Sequence, residues 1–247
     1  MQQYFYSDRL QTGDRFQLNQ DDMHHIINVM RLKSQEIIHV VDSERQTYRC
    51  QLQALPEKEW ELEALDQVYF ERELPVKVIV ACGLSKNDKL DWIVQKATET
   101  GMMEFIPLVL RRDVVKWEPK KAQKRVERLQ KIAKEAAQQS KREIIPYVHN
   151  LMTLQEMTKM IQADHRWVMY EDTAKSGQHG ALKTAFESVK STDSIIAVFG
   201  SEGGFDPSEI QYLNEQNYLS CSLGPRILRA ETAPIYLLSA LSYQLEL

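Results

Sequence analysis

Two short segments near the C-terminus hold the residue types that chemistry needs. The first is Gly200-Ser201-Glu202-Gly203-Gly204-Phe205, followed directly by Asp206-Pro207-Ser208-Glu209. The second is Leu223-Gly224-Pro225-Arg226-Ile227-Leu228-Arg229-Ala230-Glu231-Thr232-Ala233. Glycines let backbone approach a ligand closely, so bare N–H and C=O groups can grip it. Such groups suit the edge of a heterocycle and a ribose. Arg226 and Arg229 add guanidiniums, whose planar fork matches a flat, oxygen-bearing edge and stabilises negative charge that grows there. Glu202 supplies a carboxylate that can meet a hydroxyl or a cation. The chain has neither G-x-G-x-x-G nor G-x-x-x-x-G-K-[ST], so no dinucleotide or nucleoside triphosphate loop is supported.

Each segment needs a strand leading in and a helix leading out. Ser194-Ile195-Ile196-Ala197-Val198-Phe199 is a short apolar run of the kind buried in a parallel sheet. Beyond the glycines, Asp206 is a good N-cap, Pro207 fits the first helical position, and Glu209 stands three residues past the cap. A helix is therefore predicted to start there. Leu219-Ser220-Cys221-Ser222-Leu223 reads as another strand, which Gly224-Pro225 breaks, and 231–245 reads as a mostly apolar helix. A third loop, Met169-Tyr170-Glu171, follows a strand over 167–170 and can complete a pocket. Glu171 reads equally as a pocket carboxylate or a solvated strand end.

Upstream the same alternation recurs. Val76-Lys77-Val78-Ile79-Val80-Ala81 is a buried-strand run, and a helix from about 88 closes at Gly101. Strands are predicted at 104–110 and 144–148, with helices at 120–141, 151–162 and 180–188. Strands alternating with helices imply a mostly parallel sheet covered on both faces, an α/β fold. Residues 1–72 differ. They alternate polar and apolar over short spans, as in Tyr48-Arg49-Cys50-Gln51-Leu52, and read as a β-rich module with one helix over 20–30. Two domains are expected, 1–72 and 73–247.

Composition sets bounds. The chain has 247 residues, 43% hydrophobic and 27% charged, as in an ordinary globular protein. No apolar run is long enough for a membrane span, and no secretory leader is visible at the N-terminus. Cys50, Cys82 and Cys221 lie far apart and read as small buried hydrophobes in a reducing, cytoplasmic setting. His24-His25 has no metal-like partner spacing, so no metal is expected. The net charge of −4 hides a strong asymmetry. Within 120–142 stand nine lysines and arginines, Lys124, Arg128 and Arg142 among them, against Glu127 and Glu135. Val126, Leu129, Ile132, Ala133 and Ala136 supply a core stripe, so the helix should present a basic face that attracts phosphates. Arg111 and Arg112 lie just upstream. Arg9, Arg31 and Lys33 are further candidate RNA contacts.

The two glycine segments, together with His24-His25-Ile26-Ile27-Asn28-Val29-Met30-Arg31, Lys96-Ala97-Thr98-Glu99-Thr100-Gly101 and Ile132-Ala133-Lys134-Glu135-Ala136-Ala137-Gln138-Gln139-Ser140-Lys141-Arg142, resemble the SPOUT-class methyltransferases. More closely they resemble the ribosomal RNA small subunit methyltransferase E family, along almost the whole chain. Two positions depart from that pattern. Ser201 stands where the family usually has Pro, and Gln35-Glu36 where Gly-Asp is usual. The resemblance implies a PUA-like β-barrel at 1–72 and a SPOUT domain with a deep trefoil knot at 73–247. It also implies a homodimer acting on 16S rRNA or the 30S subunit, and S-adenosylmethionine as cofactor. The apolar circumference of 231–245 is weak independent support for a dimer.

In this family's reaction N3 of a uridine is methylated, and its proton must leave first. Positive charge beside O2 or O4 makes that easier. Arg229 is the first candidate for placing the base, Arg226 the second, and Glu231 is expected to orient Arg229 or to cap the helix. The cofactor is expected among Met169, Glu171, Phe199, Gly200, Glu202, Gly203, Gly204, Leu223, Gly224, Ile227 and Leu228. Two readings compete with this one. One is a knotted enzyme acting on another RNA position, such as a ribose 2′-hydroxyl. The other is a non-catalytic RNA-binding protein of ribosome assembly.

Overall fold

A computed structural model describes residues 1–170 and 180–247. The chain divides into two compact units. The first comprises Met1–Glu73 with Ala137–Ile144, and the second Leu74–Ala136 with Ile145–Leu247.

The first unit is built on strands β1 (Gln3–Phe5), β2 (Arg15–Phe16), β3 (Ile37–Val41), β4 (Thr47–Ala54) and β5 (Trp60–Val68), in the spatial order β1-β3-β4-β5-β2. β1 joins β3 in parallel, and the other pairs are antiparallel. The alternating pattern buries Ile38, Val40, Cys50, Leu52 and Leu62 on one side. Helix α1 (Gln20–His24) starts at an Asn19 cap and widens into a π-helical turn at His25–Val29, whose Ile26 is fully buried. His25 Nδ1 hydrogen-bonds the Tyr4 hydroxyl at 2.9 Å.

Arg142 departs from the sequence reading. It is 2% exposed and its guanidinium is held by the Glu73 carboxylate, so it is a buried structural cation and not part of a phosphate-facing surface. Its carbonyl accepts a hydrogen bond from Gln3 Nε2 at 2.6 Å.

The second unit is a seven-stranded sheet in which every recorded pairing is parallel. Its strands are β6 (Lys77–Gly83), β7 (Glu104–Val109), β8 (Tyr147–Val148), β9 (Met152–Thr153), β10 (His165–Met169), β11 (Ser194–Phe199) and β12 (Leu219–Cys221). The order is β12-β10-β11-β6-β7-β8, with β9 also paired to β7. Strands buried on both faces explain the near-continuous apolar runs. Val78, Val80, Cys82, Ala197 and Phe199 point into one core, and Ile79, Ala81, Ile196 and Val198 into the other.

Helices α2 (Lys89–Glu99), α3 (Pro119–Ser140), α5 (Ala181–Glu187) and α7 (Thr232–Glu246) cover the first face. Helices α4 (Leu154–Met160) and α6 (Pro207–Glu215) cover the second. Leu237, Leu238 and Leu241 are fully buried along α7, each contributing roughly 1.5–3 kcal/mol. The elements follow the predicted order with two differences. The predicted helix over 151–162 begins with the two-residue strand β9, too short to leave a period. β12 stops at Cys221 because the Ser222 hydroxyl turns the chain. It donates to the Gly224 carbonyl and accepts from the Gly224 amide, both at 3.1 Å.

Candidate active site

Both glycine bends line one cavity of about 700 Å³, at the C-terminal ends of β10, β11 and β12. That is where ligands bind in open parallel sheets, because loops diverge there between helices on opposite faces. Met169, Phe199, Gly200, Glu202, Gly203 and Gly204 contribute from one side. Leu223, Gly224, Arg226, Ile227, Leu228, Arg229 and Glu231 contribute from the other. Glu171 lies outside the described residues.

The first bend is held by its neighbours. Ser201 and Gly204 form an isolated bridge, with the Gly204 amide donating to the Ser201 carbonyl at 2.9 Å. Phe205 is 4% exposed and anchors the exit. Asp206 and Glu209 make the predicted capping box. The buried Glu209 carboxylate also accepts from the Arg111 amide at 2.8 Å, tying the start of α6 to the loop after β7. Gly203 must be glycine for space, since a Cβ there would sit 2.5 Å from the Arg112 carbonyl oxygen. In the same loop Asp113 accepts from the Leu110 amide at 2.8 Å, and burial pushes its carboxyl up to about 6.

The second bend is looser. Gly224 adopts φ +106°, a conformation that other residues reach only with strain. Pro225, Arg226, Ile227 and Arg229 are exposed. Among the described residues neither Arg226 nor Arg229 makes a side-chain hydrogen bond or ion pair, so both guanidiniums are available to a ligand. The Arg229 carbonyl accepts from the Thr232 and Ala233 amides and opens α7. Glu231 departs from expectation. It stands at the α7 N-cap without a side-chain capping bond and pairs with Lys89, not with Arg229.

Lys89 is a charged cavity-lining side chain that sequence reasoning missed. Its Nζ lies 2.8 Å from Glu202 and 3.3 Å from Glu231. The Glu202 hydrogen bond raises the Lys89 pKa, and Lys89 in turn lowers that of Glu202. A lysine in a helix start gives no signal of this in the chain.

Seven of the eight proposed RNA-contact residues lie at the surface, Arg142 being the exception. Arg9 pairs with Glu44, and Arg31 and Lys33 are exposed. Arg111 and Lys124 are exposed, and Arg112 reaches the cavity wall. Arg128 lies on Asp91, with Nε to Oδ2 at 2.8 Å. The cysteines are buried, and burial lifts the Cys50 and Cys221 thiols to about 12. No cluster of potential metal ligands occurs among the described residues, and none of their helices is long and apolar enough to cross a membrane.

A family profile described as an RNA methyltransferase domain matches residues 72–242. The ribosomal RNA small subunit methyltransferase E of Bacillus subtilis is 41% identical over 251 residues, covering 100% of this chain and 98% of that protein. The chain belongs to the ribosomal RNA small subunit methyltransferase E family. The family's protein from Synechocystis is 30% identical, covering 91% of this chain and 71% of its own. A solved structure of the family's protein from Neisseria gonorrhoeae, bound to S-adenosyl methionine, matches with a TM-score of 0.86 at 26% identity. It covers 98% of this chain and 97% of that one.

Proposed function

We propose that the protein is a methyltransferase that uses S-adenosylmethionine to methylate N3 of a uridine in 16S rRNA. The observation that carries this reading is that both glycine bends and Arg229 bound one cavity in a chain of this family. The cavity's volume, about 700 Å³, falls in the range of small-molecule sites. Its residues fit the cofactor. Bare backbone at 199–204 and 223–228 suits an adenosine, and the Glu202 and Glu231 carboxylates are held by Lys89 in the same wall.

When bound, S-adenosylmethionine supplies an activated methyl group. The protein's residues do the rest. Arg229 places the uracil and stabilises the negative charge that grows on its imide edge as N3 loses its proton. Arg226, beside it on the exposed bend, takes a phosphate of the same RNA strand. Met169, Phe199 and Leu228 give the cavity apolar walls that keep water from the transfer.

In the same reading residues 1–72 form a PUA-like barrel that selects the RNA, helped by Arg9, Arg31 and Lys33. Residues 73–247 form a knotted SPOUT domain, to which Arg111, Arg112, Lys124 and Arg128 add a basic surface. The protein works as a cytoplasmic homodimer on 16S rRNA or the 30S subunit.

The test is methylation of 30S subunits and of free 16S rRNA with labelled cofactor, followed by nucleoside mass mapping. A 3-methyluridine product supports the reading. A 2′-O-methylated nucleoside, or no transfer by a protein that binds both RNA and cofactor, replaces it with the corresponding alternative.

A further inference from the structure

We propose that Lys89 is a positioning residue that clamps the two bends of the cavity, holding Glu202 of the first and Glu231 of the second on one ammonium group. The inference rests on the reading that this cavity takes S-adenosylmethionine, but its geometry stands without a ligand. Lys89 opens α2, where the helix dipole presents its positive end. A cation there runs against local preference, and such departures gather where function outweighs stability. α2 is well anchored, with Leu90, Ile93, Val94 and Ala97 buried, and it packs on α7. The ammonium is thus carried on a rigid element.

Its two partners come from separate loops. Glu202 lies in the bend after β11, and Glu231 closes the bend after β12. No hydrogen bond between described residues joins the two bends directly, whereas Lys89 reaches both, at 2.8 and 3.3 Å. The three side chains are 20–27% exposed, so their attraction is less screened than that of a surface pair. The shifts of Lys89 upward and Glu202 downward keep that pair charged through neutral pH. Without Lys89 the Glu231 carboxylate would lose its cation partner and Glu202 would keep only Lys86, so the repulsion between the two carboxylates would push the bends apart. The clamp therefore sets the width of the cleft before a ligand arrives, which lowers the ordering cost of binding.

The test uses full-length Lys89→Met and Lys89→Arg proteins. Hydrogen exchange is followed first, on ligand-free protein. Lys89→Met should speed exchange in 200–206 and 224–231 together, with a melting temperature within a few degrees of wild type. Calorimetry with S-adenosylmethionine should then show roughly tenfold weaker binding for Lys89→Met, while Lys89→Arg stays within about threefold. Unchanged exchange in either bend overturns the clamp, as does a melting temperature that falls in step with binding. If wild type does not bind S-adenosylmethionine, the cofactor reading fails, and the exchange experiment alone decides the clamp.

Discussion

The two bends face one cavity, yet they are built in opposite ways. The bend at 200–206 is locked by a backbone bridge, a buried Phe205, a capping box and the Arg111 amide bond of Glu209. The bend at 224–231 has a Ser222–Gly224 turn, the Lys89 contact and the first amides of α7, with both arginines exposed. The contrast assigns them different work. A preformed wall grips a small ligand with little ordering cost. An exposed segment with free guanidiniums can adapt to a large partner such as RNA. Substitutions in the first bend should therefore cost folding and cofactor affinity together, whereas loss of an exposed arginine in the second should cost turnover with little change in either.

The largest expected effect is that of Arg229→Ala. In the proposed reaction Arg229 faces the developing anion, and removing one such donor typically costs about a hundredfold or more in turnover. Methyl transfer should fall by that factor, while calorimetric cofactor affinity and melting temperature stay near wild type. Full single-turnover activity in this variant would dissolve the division of labour between the bends.

Gly203→Ala comes next and acts on the other wall. The added Cβ would meet the Arg112 carbonyl oxygen at 2.5 Å, so backbone must move. Such overpacking costs about 1–3 kcal/mol, readable by urea denaturation, and should weaken cofactor binding as well. Unchanged stability would show that this wall is no stiffer than its counterpart. Glu209→Ala sharpens the same point more gently. It removes half of the capping box and leaves the Arg111 and Asp206 amides without an acceptor. About 1–2 kcal/mol of stability should be lost in the same assay.

The same contrast marks what could be read from the chain. Asp206, Pro207 and Glu209 announce a helix start because capping is local chemistry between neighbours, and the structure places the box there. Phe199 and the glycines after it were legible for the same reason. Lys89 was not, because its partners Glu202 and Glu231 are close only after β6, β11 and β12 have paired into one sheet. Arg142 failed in the opposite sense. It continues a basic run, and nothing near it in sequence shows that Glu73 will bury it. Glu231 was read by adjacency to Arg229, whereas its geometry is set by α2. The strand at Met152–Thr153 is defined only by β7 across from it.

Asp113 offers the smallest effect and a test of the first bend through pH. Its carboxyl is pushed up to about 6, chiefly by burial and also by the nearby Glu209 charge. The Leu110 and Leu84 backbone and the Ser201 hydroxyl pull the other way without overcoming it. Because the folded value lies above the ordinary 3.8, folded protein holds the proton after the unfolded chain has lost it. Stability from this group is therefore present at low pH and is lost as pH rises through about 6. Asparagine carries no charge and can still accept from the Leu110 amide. Asp113→Asn should melt a few degrees above wild type at pH 8, a gain limited by the partial exposure of the site, and the gain should vanish near pH 4. Since the Asp113 loop carries the Arg112 carbonyl that packs against Gly203, the variant should also flatten the pH dependence of cofactor affinity across the same interval. A wild type more stable than the variant at pH 8 would mean that the ionised carboxylate supports the loop, and the first bend would then owe part of its rigidity to a charge and not only to packing and caps.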